Sequence, residues 1–196
     1  TNELAVRNIY VNVNEMYIGT FHSLCLRIIK DNLEFTQLKK NYRLLDSFDQ
    51  KYLVFRNIQK FRNIADIELV MPNGGAWKWA EAICGLVGTL TEELVDADAM
   101  AKDSKTEIRV LSAILKQYQQ LLTDENLIDF AKIQTECYRL LKENPAILSD
   151  LQEKIHYLMI DEYQDTNYIQ EQIIFMLGEK HGNICVVGDD DQGLYR

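Results

Sequence analysis

The stretch that most constrains this chain is Tyr157-Leu158-Met159-Ile160 running directly into Asp161-Glu162. A short apolar run cut off by charge reads as a strand buried on both faces, the usual state of a strand in a parallel sheet. Two carboxylates then fall at its C-terminal end, the edge where open parallel sheets bind ligands. Thr166 and Asn167 both carry side chains suited to cap a helix. Behind them Ile169, Ile173, Ile174 and Leu177 recur at helical spacing. Strand, acid pair, helix is a layout that can hold a hard cation through oxygen ligands. An acidic surface turn is the competing explanation, and the longer string Asp-Glu-Tyr-Gln-Asp-Thr-Asn at 161–167 weighs against it.

Two other segments read as strands. Residues 16–21 are β-prone and run into His22-Ser23, then a helix with Leu24, Ile28 and Ile29 inward and Ser23 as a candidate cap. Residues 183–188 form a second apolar run, ending in Asp189-Asp190-Asp191-Gln192. Segments 17–21, 157–161 and 184–188 are therefore expected side by side as parallel strands, each with polar residues at its C-terminal end. The long stretch between the first two reads almost wholly as helix. Ser47 is its first candidate N-cap, with Gln50 completing a capping box. Pro72-Asn73-Gly74-Gly75 is a clear break, and helices are expected over 77–94 and 107–122. Another starts at Thr123 or Asp124, buries Leu127, Phe130, Ile133, Cys137, Leu140 and Leu141, and ends at Asn144-Pro145. This is too long for a crossover connection. A helical subdomain inserted at 31–123, standing apart from the sheet, accounts for it.

The net charge of −9 is unevenly spread. Residues 1–62 hold 10 Lys and Arg against 6 Asp and Glu, a balance of +4, and the remainder holds 11 against 24, a balance of −13. The first third could face a phosphate backbone while the rest does not. Trp77 and Trp79 read as core or interface packing in preference to a base-stacking pair, and a lone His22 reads more readily as structural. Cys25, Cys84, Cys137 and Cys185 are scattered without metal-site spacing, as expected of reduced core thiols in a cytoplasmic protein. No stretch is long and apolar enough to cross a bilayer.

Three strings carry a family resemblance. Gly19-Thr-Phe-His-Ser23, Asp161 to Asn167, and Val187-Gly-Asp-Asp-Asp-Gln-Gly-Leu-Tyr-Arg196 resemble motifs Ib, II and III of UvrD/Rep/PcrA-type superfamily 1 DNA helicases. Asn126 to Phe130 and Leu45 to Gln50 are similar to linking segments of that family, and order and spacing fit along essentially the whole chain. Gly193 stands where the family usually has Ser.

The resemblance implies an α/β fold: a partial RecA-like (P-loop NTPase) parallel sheet, with 1–30 and 124–196 as its two parts and 31–123 as the all-helical insertion. It implies a motor that spends ATP with Mg²⁺ to move along single-stranded DNA and open duplex DNA, in repair or replication. Asp161, the Walker B position, would hold Mg²⁺ through water, with Glu162 beside it orienting and deprotonating the attacking water. Gln192 would contact the γ-phosphate and couple it to the DNA site. Tyr195 would stack on or beside a base, and Thr20, Phe21 and His22 would line the DNA path. No G-x-x-x-x-G-K-[ST] string occurs in the chain. The phosphate-cradling loop is therefore expected upstream of Thr1, and a second RecA-like domain with its arginine fingers downstream of Arg196. Three other readings stay open: a RecB/AddA-type helicase–nuclease subunit, a metal nuclease built on Asp161, Glu162 and Asp189–Asp191, and a non-catalytic helicase-like interaction module.

Overall fold

A computed structural model of the chain describes residues 16–189. Helices dominate, and the sheet structure is confined to two short parallel pairs among the described residues. Helix α1 (Phe21–Asp31) comes first, followed by β1 (Arg43–Leu44), α2 (Ser47–Arg56) and α3 (Ile58–Arg62). Then follow α4 (Ala76–Glu92), the short α5 (Ala97–Met100) and α6 (Thr106–Asp124). Strand β2 (Leu127–Ile128), α7 (Phe130–Glu143), α8 (Pro145–Lys154), β3 (Leu158–Ile160), α9 (Tyr168–Gly178) and β4 (Ile184–Val186) complete the order.

Side-chain capping sets most of the helix starts. Thr20, Asp46, Asp129 and Asn167 cap α1, α2, α7 and α9, each accepting the backbone N–H three residues on. The expected cap at Ser47 gives way to Asp46, whose carboxylate accepts the Asp49 N–H at 2.7 Å. Gln50 is thereby freed for a long-range contact instead of a capping box. The expected cap at Ser23 likewise moves to Thr20, because Ser23 already lies inside the helix and its hydroxyl donates back to the Thr20 carbonyl at 2.6 Å.

Two hydrophobic clusters divide the chain. The first runs from Leu45 to Leu127 and gathers α2, α3, α4 and α6 around Phe61, Ile83, Ile114 and Leu121. The second joins α1, α7, α8 and α9 around Ile28, Ile29, Ile133, Cys137, Leu140, Ile169 and Ile173. The two abut: α4 packs on α7 and α9, and Leu94 lies against the second cluster. The helical stretch therefore has a core of its own without standing clear of the rest. At its base the chain enters and leaves through β1 and β2, which pair in parallel with Arg43 opposite Leu127 and Leu44 opposite Ile128. Asn126, at φ +52°, turns the chain from α6 into β2, and its side-chain oxygen accepts the Lys39 N–H at 3.2 Å. This pairing replaces the expected helix start at Thr123 or Asp124. Leu127 and Ile128 are both buried and bond across to the incoming strand instead of continuing a helix.

Of the three expected parallel strands, two are found together. β3 and β4 pair in parallel, Leu158 opposite Ile184 and Ile160 opposite Val186. Residues 17–20 form no strand, and Phe21 is already helical. Thr20 is extended, φ −72° and ψ 158°, and serves as the cap of α1. Nor are β3 and β4 buried on both faces. Leu158 lies inward, half-buried against the second cluster, whereas Met159 is 79% and Tyr157 77% exposed. Helix α9 covers one face only among the described residues. Cys185 is exposed on the same grounds, a correction to its reading as a core thiol, while Cys25, Cys84 and Cys137 are buried. The two tryptophans part company. Trp79 packs on the first core and its indole N–H donates to the Pro72 carbonyl at 3.0 Å. Trp77 lies on the surface beside Phe48 and Phe55.

Candidate functional site

The acid pair lies where the alternating strand pattern stops. Ile160 is the last residue of β3, and its carbonyl accepts the Val187 N–H at 2.8 Å. The ladder then crosses to the other side: the Tyr163 N–H donates to the Val187 carbonyl at 2.9 Å. Between these two bonds the chain must bulge outward, and Asp161 and Glu162 occupy the bulge, both exposed. Glu162 adopts a left-handed backbone, φ +54° and ψ +42°. That geometry is uncommon for a residue with a side chain, and Asp66, Leu94 and Asn126 share it elsewhere in the chain. Tyr163 to Asp165 then form a single 3₁₀ turn before Asn167 caps α9, its side-chain oxygen accepting the Gln170 N–H at 3.1 Å.

Within the bulge, Asp161 Oδ1 accepts the Glu162 N–H at 3.0 Å. Glu162 Oε2 accepts from the Gln164 amide at 2.6 Å. Each carboxylate thus keeps a second oxygen toward solvent. Two exposed carboxylates supply the hard oxygen donors that Mg²⁺ takes, and Mg²⁺ needs only one or two of them when phosphates and waters complete its shell. No group of three His, Cys, Asp or Glu able to hold a metal occurs among the described residues. The donor set fits an ion brought with a phosphate ligand better than a closed protein cage.

Thr20, Phe21 and His22 sit together at the start of α1. Thr20 is exposed and its hydroxyl oxygen accepts the Ser23 N–H at 3.2 Å. Phe21 is half-buried against the second core. His22 turns inward: its ring stands edge-on to Phe130 at 5.3 Å, and Nε2 lies 2.8 Å from Nε2 of Gln134. Burial pushes the His22 pKa down, against a smaller opposing pull from Glu92. A neutral ring accepting the amide proton on Nε2, with its own proton on Nδ1, satisfies both observations. Gln192 and Tyr195 lie outside the described residues, as do Asp190 and Asp191.

Two side chains and one glycine that sequence reading did not single out belong to these neighbourhoods. Gln164 bonds Glu162, and its signal was its place two residues after the acid pair. Gln134, 1% exposed, holds His22 and carries no sequence signal beyond its turn of a helix face. Gly188 lies so close to Gln164 that a Cβ there would stand 2.6 Å from the amide oxygen.

Comparison with known proteins adds a family to this geometry. The family described as UvrD/REP helicase N-terminal domain matches residues 2–196. The chain is 32% identical over 184 residues to the ATP-dependent DNA helicase PcrA of Bacillus subtilis, covering 93% of this chain and 24% of that protein. It is 33% identical over 198 residues to a probable DNA helicase II homolog of Rickettsia felis, covering 98% of this chain and 29% of that protein. The corresponding PcrA of Staphylococcus aureus is 30% identical over 181 residues, with 92% and 23% covered. The chain thus spans about a quarter of the length of the relatives it matches.

Proposed function

Because the chain belongs to the UvrD/REP helicase N-terminal domain family, we propose that it is part of an ATP-dependent DNA helicase, contributing one wall of the nucleotide site and part of the DNA path. The carrying observation is the exposed Asp161–Glu162 pair at the C-terminal end of a parallel strand, with the end of β4 alongside. On this reading 1–30 and 124–196 are two parts of a RecA-like ATPase domain and 31–123 is a helical insertion in it. The separate core of the helical stretch supports that division. The phosphate-cradling loop and the second RecA-like domain are supplied by other parts of the complete protein, in keeping with the quarter-length match.

The chemistry follows from what the bulge offers. Asp161 would hold Mg²⁺ through water, and the ion would supply charge neutralisation at the ATP phosphates during phosphoryl transfer. Glu162, fixed by its left-handed backbone and its bond to Gln164, orients the attacking water and takes its proton. Gln192 is assigned to the γ-phosphate, and Tyr195, three residues on in the sequence, to a base that its aromatic face would grip. Thr20 and Phe21 line the DNA path, with His22 turned inward behind them and bonded to Gln134.

Glu162→Gln in the complete protein tests this. It removes the base and little else. ATP turnover falls by about a hundredfold or more, while nucleotide affinity stays within a few-fold of the parent. Turnover at the parental rate overturns the assignment.

A further inference from the structure

The bulge that carries Glu162 is fastened to the end of β4 by one side chain. The Gln164 amide nitrogen donates to Glu162 Oε2 at 2.6 Å, and its amide oxygen accepts the Asp189 N–H at 3.0 Å. This is the one orientation of the amide that serves both neighbours, since a carboxylate only accepts and a backbone N–H only donates. The close approach is built into the chain: a Cβ on Gly188 would meet the Gln164 amide oxygen at 2.6 Å and the Gln164 backbone nitrogen at 3.4 Å. Gly188 has no left-handed φ, so space for Gln164 is what its missing side chain provides. The Tyr163 to Val187 backbone bond at 2.9 Å holds the two segments at this distance.

We infer that Gln164 is a positioning residue for catalysis. It holds the Glu162 carboxylate in one orientation and ties that orientation to the backbone leaving β4, the segment that continues into Gln192. A displacement of the Asp189 backbone then moves the amide and, through it, the carboxylate. The inference rests on the assignment of Glu162 as the base.

Two substitutions in the complete protein test it. Gln164→Leu keeps the bulk and removes both bonds. Gly188→Ala leaves Gln164 unaltered and displaces its amide. Each is expected to lower kcat for ATP about tenfold or more, as loss of a residue that orients a catalytic group does, with KM for ATP and the melting temperature close to those of the parent. In the nucleotide-free protein, the Asp189 amide should exchange with solvent several-fold faster in both variants, a readout independent of turnover. Unchanged kcat in both variants overturns the inference, whether or not Asp189 exchange quickens. So does a loss of kcat that merely follows a fall in melting temperature, the mark of a loop staple. Gly188→Ala carries the test by itself if Gln164→Leu fails to fold. Glu162→Gln, assayed alongside, separates the two levels. With Glu162→Gln inactive, an unaffected Gln164→Leu refutes the positioning role alone; with Glu162→Gln active, the catalytic reading falls too.

Discussion

Asp129→Ala probes how the two cores are joined. Asp129 is 3% exposed, between β2 and α7, where the two clusters meet. Its Oδ1 accepts the Lys132 N–H at 2.7 Å and caps α7. Its Oδ2 accepts the Tyr118 hydroxyl and, at 3.1 Å, the Gln50 amide. One carboxylate therefore fastens α2, α6 and α7. Truncation removes a cap, which costs about 1 kcal/mol. It also strips the buried Tyr118 hydroxyl of its acceptor, roughly 1–3 kcal/mol. Gln50 keeps the Tyr118 oxygen at 2.9 Å and adds little to the loss. The sum is about 2–4 kcal/mol, which for a chain of this size is a fall in Tm of roughly 4–16 °C. Asp129→Asn retains a capping oxygen and loses the charge, so its cost is roughly half. Urea titration and thermal unfolding of the three proteins read the series. A loss for Asp129→Ala within about 0.5 kcal/mol of the parent, the range of an ordinary surface change, would refute the view that this carboxylate joins the cores.

Burial, with a smaller contribution from Asp129, pushes the Cys84 thiol from 9.0 up to about 12. The fold favours the neutral thiol, so this contribution is full below pH 9 and is lost as pH rises from there toward about 12. Cys84→Ala should flatten the fall in urea midpoint over that window, and an unchanged slope counts against it. Gly178 ends α9 where a Cβ would stand 2.6 Å from Ile184 Cδ1. Gly178→Ala is expected to destabilise by about 1 kcal/mol, the overpacking outweighing the gain in helix preference. Gly85→Ala, with nothing within 4 Å, should instead stabilise α4 by roughly 0.5–1 kcal/mol. Chemical denaturation of the pair decides, and equal signs would refute the steric account.

The features legible in the sequence were those set by local chemistry. The run ending in Asp161-Glu162, the cap at Asn167 and the helix stop at Pro145 are each written in adjacent residues. The apolar run at 183–188 also paired where expected. The rest depended on partners far along the chain. Whether Leu127 and Ile128 continue a helix or form a strand is decided by Arg43 and Leu44, more than eighty residues earlier. Residues 16–20 have strand-like composition, but composition alone does not supply a neighbouring strand to bond with. Exposure of Met159 and Cys185 followed from a covering helix on one face only among the described residues, which no pattern within the strand records. Asp46 outcompeted Ser47 because the helix begins one residue earlier than spacing suggested. For the candidate site, the place of the acids at a strand end was legible and their neighbours were not: Gln164 acquires meaning only once β4 brings Gly188 and Asp189 beside it.

The parallel sense of β1 and β2 limits what can happen to the helical stretch between them. In an antiparallel pair the end of one strand adjoins the start of the next, and everything between can be shortened to a tight turn. Here Leu44 and Leu127 lie at opposite ends of the two-residue ladder, so any replacement must travel back along the strand before it re-enters. A parallel pair takes a crossover of a dozen residues or more. The excursion can therefore be exchanged for another helical body, or trimmed to a single crossing helix, only if the replacement restores the packing that α4 and Leu94 give the second core. It cannot be deleted outright. Length is free to vary upward, since doubling a loop adds only about 0.6 kcal/mol of closure entropy, and is bounded sharply from below.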